Sequence, residues 1–368
     1  MRDPRIERLA DVLVNYSTEV REGDVVAISG DPLAQPLLLA VYEQVLRAGG
    51  RPIPMVGLDG VQEAFFALAS DDQLEFVNPV QELIYSTVDV TIGVQAPTNS
   101  RALTGVDPSK QARVARARHP LMTTYMERAA KGELRWVGTV YPTEMVAADA
   151  EMSLRRYEDL YYAACLCDRD DPIAAWKQAG AETHRLNDWM NDGRQDVHIR
   201  GDGTDLRLSV EGRTWVAGDG KHNMPCGEFF TGPVEDSANG HITFHLPTLH
   251  GGRSVSGIRF EFQDGKVVGA TAEQGEDYLI QMLDSDEGAR FLGELGIGSN
   301  FGIDIGTRSI LLDEKIGGTV HLAIGQSYPE TGGTNQSAQH WDMICDLREG
   351  GSITVDGALL QQDGRFLV

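Results

Sequence analysis

The rhythm of apolar residues changes near position 195, and that change limits what this chain can fold into. Before it, short β-branched runs alternate with helical segments. Asp3-Pro4 reads as an N-cap with proline at the first helical position, and Ile6, Leu9, Ala10 and Leu13 then share one helix face. Asp24 to Ser29 reads as a buried strand. Leu37 to Ala48 has helical periodicity and stops at Gly49-Gly50. Ile53 to Val56 reads as a strand near an edge, because Pro52 and Pro54 cannot donate to a ladder. Val88 to Val94 and Leu134 to Val140 are further strands, with a helix expected after Asp107-Pro108. Such alternation predicts βαβ units and a mainly parallel sheet. Glu144 to Asn191 reads as helical, with Trp176 and Trp189 as anchors.

After Gln195 the texture becomes antiparallel. Asp196 to Val210 alternates around Gly201-Asp202-Gly203, and Ile258 to Phe262 meets Val267-Val268 across Asp264-Gly265, a strong hairpin signal. Asp356-Gly357 and Asp363-Gly364 mark two more tight turns, and a helical insert is expected near Glu276 to Leu295. The predicted fold is an α/β N-terminal domain over 1–195, followed by an α+β, mainly antiparallel domain over 196–368.

Charge narrows the functions open to this fold. Lys plus Arg number 32 against 55 Asp plus Glu, a formal net charge of −23. Such a polyanion repels phosphate backbones, which argues against nucleic acid, and favours metal ions or ammonium-bearing substrates. No apolar run approaches the ~20 residues of a membrane span. Met1-Arg2-Asp3-Pro4-Arg5 has no apolar segment of the kind a secretory leader needs. The four cysteines form no C-x-x-C pair, so reduced thiols and a cytoplasmic location are expected. Ser29-Gly30-Asp31 lacks the glycine pattern of a dinucleotide site.

Seven of the nine histidines follow position 195, so metal-type ligands gather there. Thr319 to Ile324 reads as a strand that puts Thr319, His321 and Ala323 on one face. His340 to Ile344 reads as a second, with His340 and Asp342 on one side and Trp341 opposite. Imidazole and carboxylate together suit zinc, iron, cobalt or manganese, although an H-x-D pair on a strand is by itself equally served by a hydrogen bond near a surface. Glu228 and Glu294 each directly follow a glycine, which lets the backbone come close or turn the next side chain inward. The glycine-rich stretch 293–298 lacks the Lys-Ser/Thr of a phosphate loop. On a strand, His241 and His245 stand about 13 Å apart, too far to share one ion.

The ordered set Asn223-Met224-Pro225 with Gly227-Glu228, Gly293-Glu294, Glu314-Lys315 with Gly318-Thr319 and His321, Tyr328, Gly333-Thr334-Asn335, and His340-Trp341-Asp342 resembles the metallo-aminopeptidase family of aminopeptidases T and S. The resemblance runs nearly end to end. It implies a two-metal site with ligands at Glu228, Glu294, His321, Tyr328, His340 and Asp342, in a cytoplasmic homodimer that removes N-terminal residues from peptides. The ions would be zinc, cobalt or manganese, and the second domain would be catalytic, with the first as scaffold and dimer or lid element. The Tyr328–His340 interval is shorter than in some members, which bears on loop shape and substrate preference.

The chemistry agrees with that implication. Five carboxylate or imidazole ligands plus a tyrosine are more than one ion needs, unless two ions share a bridging carboxylate. Glu294 is the expected bridge, Glu228 with His321 completing one ion and His340 with Asp342 the other. Two divalent ions about 3.5–4 Å apart can hold a hydroxide and polarise a carbonyl. Tyr328 is expected to ligate weakly or to donate to the tetrahedral oxyanion. Glu314 is a candidate general base and Lys315 a candidate to orient the substrate carbonyl. Each is equally explained as a turn residue, ion-paired or exposed. The competing class is a mononuclear non-haem iron dioxygenase cleaving a pyridine ring, for which His321, His340 and Asp342 alone suffice.

Overall fold

The computed structural model describes residues 3–368; Met1 and Arg2, part of the start read for a leader, lie outside them. The chain divides into two compact units. The first runs to Ala148 and adds Met152–Ala175 and Lys221–Met224. The second holds Asp149–Glu151, Trp176–Gly220 and Pro225–Val368.

In the first unit, four parallel strands form in the expected places: β1 (Val25–Gly30), β2 (Arg51–Val56), β3 (Val90–Gln95) and β4 (Arg135–Val140). Their order is β2-β1-β3-β4, so the proline-containing β2 lies at the edge. Asn223–Met224 adds a short fifth strand beside β4, a return of the chain that local pattern does not reveal. The helix starts follow from capping chemistry. Asp3 accepts from the Arg5 amide at 2.8 Å ahead of helix Pro4–Asp11, and Asp107 accepts from the Ser109 amide at 2.8 Å ahead of Pro108–Ala130. Between the carboxyl ends of β1 and β3, where open α/β sheets take ligands, the Ala96 amide donates to Asp31 Oδ2 at 2.7 Å.

The second unit is built on two large antiparallel sheets and also holds a two-stranded one, Thr248–His250 with Arg253–Val255. The larger has eight strands and contains the expected hairpin Ile258–Gln263/Lys266–Thr271. Its turn residues Asp264 and Gly265 both take positive φ, 47° and 78°, the requirement that makes Asp-Gly a hairpin signal. The smaller sheet has five strands: β5 (Val216–Gly218), β6 (Glu228–Thr231), β7 (Leu292–Gly298), β8 (Thr319–Gly325) and β9 (His340–Asp346), in the order β9-β8-β7-β6-β5.

One expectation needs correction. The helix after Glu276 stops at Leu283, and Leu292–Gly298 is the central strand β7 of the smaller sheet. The reason is physical. Gly293, Gly296 and Gly298 weaken a helix by about 1 kcal/mol each, while in a strand they permit close approach of neighbours. Trp176 is buried as expected, whereas Trp189 is only half-buried, packing beside the core with Arg194 over its ring.

Candidate metal centre

Register puts chemistry on one face of the smaller sheet and core on the other. Directly opposed residues of antiparallel strands share a face. Gly298 of β7 opposes Glu228 of β6; Ala323 of β8 opposes Glu294 of β7 and Asp342 of β9; Gly296 opposes His321; Gly325 opposes His340. The alternate residues Phe229, Leu295, Ile297, Val320, Leu322, Ile324, Trp341 and Met343 point the other way into the hydrophobic core. Burying side chains of this kind stabilises by roughly 1.5–3 kcal/mol each, which holds the polar face in register.

The small residues between the ligands are spacers. A Cβ on Gly296 would lie 2.0 Å from His321 Nε2, so only glycine leaves room for the imidazole. A Cβ on Gly293 would lie 2.3 Å from the Gln326 carbonyl oxygen, and the pairing of β7 with β8 is irregular between Leu292 and Glu294. That irregularity turns Glu294 onto the polar face. Close backbone approach, the property read from the glycine before each glutamate, is what these positions use.

Glu228, Glu294, His321 and Asp342 are buried and His340 is partly so. Glu294 stands between two imidazoles, with Oε1 at 3.4 Å from His321 Nε2 and Oε2 at 3.1 Å from His340 Nε2. Glu228 Oε2 lies 3.5 Å from His321 Nε2, and Asp342 Oδ2 lies 3.4 Å from His340 Nε2. Two groups of three potential ligands result, Glu228–Glu294–His321 and Glu294–His340–Asp342, with Glu294 common to both. Glu314 forms a third with His321 and Asp342. The structure thus brings together five of the six residues expected to ligate, plus Glu314. The sixth, Tyr328, is 38% exposed and meets the cluster through its ring, 5.0 Å from that of His340 and 5.5 Å from Phe230.

The donor set fits cations. Glu228 Oε2, Asp342 Oδ1 and His321 Nδ1 are buried and make no hydrogen bond among the described residues, which is costly for a polar atom without a partner. His340 Nδ1 donates to the Gln326 carbonyl at 2.7 Å. That bond fixes the ring and leaves Nε2 facing the carboxylates, a common outer support of a metal-ligating histidine. Burial alone would raise the Glu294 carboxyl and lower both imidazoles, but mutual attraction wins. Glu294 is held down at about 2, while His321 is raised to about 9 and His340 to about 11. Burial and then the Glu294 and Asp342 carboxylates push the Tyr328 phenol up, keeping it protonated.

Lys315 corrects the reading of an exposed turn lysine. Its side chain is 1% exposed, its Nζ donates to Glu228 Oε1 at 2.5 Å, and it also donates to Glu314 Oε1. Burial raises the Glu314 carboxyl to about 8 against the opposing effect of Lys315.

Two carboxylate–imidazole clusters joined by a glutamate are, by their chemistry, the donor set of a divalent-metal centre. Sequence comparison gives the family: residues 2–366 match the thermophilic metalloprotease (M29) family, and the chain belongs to it. Aminopeptidase T of Thermus thermophilus is 26% identical, with 98% of this chain and 95% of that protein covered. Aminopeptidase 2 of Geobacillus stearothermophilus is 25% identical over 96% of this chain and 95% of its own length. Among solved structures, wild-type AmpT from T. thermophilus superposes with a TM-score of 0.83 at 24% identity, covering 99% of each chain. The 2,5-dihydroxypyridine dioxygenase of Pseudomonas putida KT2440 shares the fold at a TM-score of 0.61 and 13% identity, covering 99% of this chain and 97% of that one.

Proposed function

We propose that this metallo-aminopeptidase hydrolyses the N-terminal bond of peptides with two divalent ions, zinc, cobalt or manganese. In this reading Glu228 and His321 would hold one ion, His340 and Asp342 the other, and Glu294 would serve both. The observation that carries the reading is Glu294, which presents one oxygen to each imidazole cluster. When bound, the ions would supply Lewis acidity toward the scissile carbonyl and a nucleophile from water near neutral pH.

The protein groups would do the rest. The protonated Tyr328 phenol, beside His340, would donate to the developing oxyanion. Glu314, near His321 and Asp342 and with a proton affinity close to neutrality, would take the proton from water and pass it to the leaving amine. The carboxylates around the site favour a substrate with a free α-ammonium group. The first unit serves as scaffold and dimer or lid element, the second as the catalytic part, and the molecule acts as a cytoplasmic homodimer. The four cysteines are buried and form no disulfide among the described residues, which supports a reducing compartment, and among the described residues no helix is long and apolar enough to cross a membrane.

The dioxygenase alternative needs only His321, His340 and Asp342. Glu228, Glu294 and the Glu314–Lys315 pair are then surplus, which favours the peptidase. Hydrolysis of an unblocked leucine anilide, after loading with zinc, cobalt or manganese, tests the choice. Activity should be equal without air, absent on the acetylated anilide, abolished by chelation and restored by metal. Glu294→Gln should lower the rate by about 10²–10³-fold with the fold intact. Inertness on every anilide, together with oxygen uptake on a dihydroxylated aromatic ring in the presence of iron, would overturn the peptidase reading.

A further inference from the structure

Lys315 is a fully buried cation inside a site that is to hold two more. A buried lysine persists only where partners repay its desolvation, and here it has two, Glu228 at 2.5 Å and Glu314. Its position divides the two oxygens of Glu228. Lys315 Nζ takes Oε1, while Oε2 faces His321 Nε2 at 3.5 Å and has no hydrogen bond among the described residues.

The backbone is arranged to hold the lysine there. Glu314 caps the short helix Ile310–Asp313. The buried Asp313 side chain accepts from the Thr307 amide and hydroxyl, each at 2.7 Å, and from the Arg308 amide at 2.8 Å. On the other side, the Asn300 amide donates to the Lys315 carbonyl at 2.9 Å. Lys315 is thus anchored before and after, with its ammonium on Glu228, the first residue of β6.

We propose that Lys315 is a positioning residue for the metal centre. It occupies one oxygen of Glu228 so that this glutamate offers only the other to an ion, and it ties Glu314 to the same ammonium. The proposal rests on the two-metal peptidase reading above and goes beyond it in assigning a role to a group that neither ligates nor reacts.

The test uses the full chain loaded with cobalt, whose visible absorption reports coordination, and compares wild type with Lys315→Met and Glu314→Gln. Releasing Glu228 Oε1 should change the cobalt spectrum of Lys315→Met. Removing a positive charge next to a cation site should leave metal affinity equal or higher in a chelator competition. Misplacement of the ligand should lower kcat on leucine anilide, by on the order of a hundredfold, with KM little changed. Glu314→Gln, which keeps Lys315 on Glu228, should retain the wild-type spectrum. A merely structural lysine predicts weaker metal binding and a lower Tm together. A substrate-orienting lysine predicts a raised KM with an unmoved spectrum. Either result overturns the proposal. If Lys315→Met does not fold, the double variant Lys315→Met/Glu314→Gln, which removes one charge of each sign, should fold and show the same spectral change. An unmoved spectrum in that variant overturns the proposal as well. A wild-type protein that takes up no cobalt overturns the metal reading itself, and the proposal with it. A wild type that takes it up, with no spectral change in the lysine variants, overturns the proposal alone.

Discussion

At the residue scale, two imidazoles decide how the centre responds to pH. Burial lowers a histidine's pKa, yet the carboxylates around His321 and His340 raise them to about 9 and about 11, against an ordinary 6.5. A cation whose folded pKa is raised contributes stability in full below its unfolded value, and loses it as pH climbs through the folded one. The metal-free protein should therefore keep its Tm below about pH 7 and lose it as pH rises through 9 and 11, the folded values of the two rings. A divalent ion needs neutral imidazole and displaces those protons. Metal uptake near neutral pH should release about two protons per chain, read by calorimetry in buffers of different ionisation enthalpy, and the high-pH loss of Tm should disappear in the loaded protein. Uptake without proton release would mean that these rings are not where the ions bind. His340 and Asp342 carry a local mark in the sequence, an H-x-D alternation, and Glu228 and Glu294 a preceding glycine, whereas His321 is marked only by its place on a period-two strand and by the family resemblance. Lys315 carries none. Its partner Glu228 lies 87 positions away, and a lysine after a short helix looks in sequence like any solvated one.

At the element scale, the centre is a property of strand pairing. Four adjacent strands put ligands on one face because their register is locked by a core on the other, and the period of two that predicted His321, His340 and Asp342 applies equally to β6 and β7. What sequence pattern missed was β7 itself. Leu292, Leu295 and the acidic run before them resemble the end of an amphipathic helix, and only the cross-strand neighbours show why glycine recurs at 293, 296 and 298. Gly296→Ala tests this at the element. The new methyl would meet His321 Nε2 and Cε1, at 2.0 and 2.1 Å, so the ring or the strand must move. Displacing a ligand in this way should cost about 10–100-fold in metal affinity or activity, while circular dichroism stays close to wild type. Retention of full metal affinity would show that His321 is not held where the pairing puts it.

At the scale of the whole molecule, a chain of net charge −23 repels its own copies, so a homodimer needs apolar surface or paired charge to form. The first unit presents apolar surface. Helix Val61–Leu68 has no buried residue, Leu58, Leu68 and Phe76 are 75%, 83% and 65% exposed, and Phe65, Leu68, Ala69 and Phe76 line a groove of about 410 Å³ with Gln73. No helix is expected from the sequence between Val56 and Val88, and apolar spacing alone cannot distinguish a face turned to the core from one turned to a partner. Large exposed apolar patches on soluble domains mark interaction surfaces. Sedimentation at moderate salt should give about twice the 40.2 kDa of the chain. Leu68→Glu with Phe76→Glu should shift it to the monomer by placing unpaired charge in the interface. Because this surface belongs to the first unit and every candidate ligand to the second, chelation should abolish hydrolysis and leave sedimentation unchanged. A wild-type monomer at micromolar concentration would refute the dimer, and a dimer that persists in the double glutamate variant would locate its interface away from this surface.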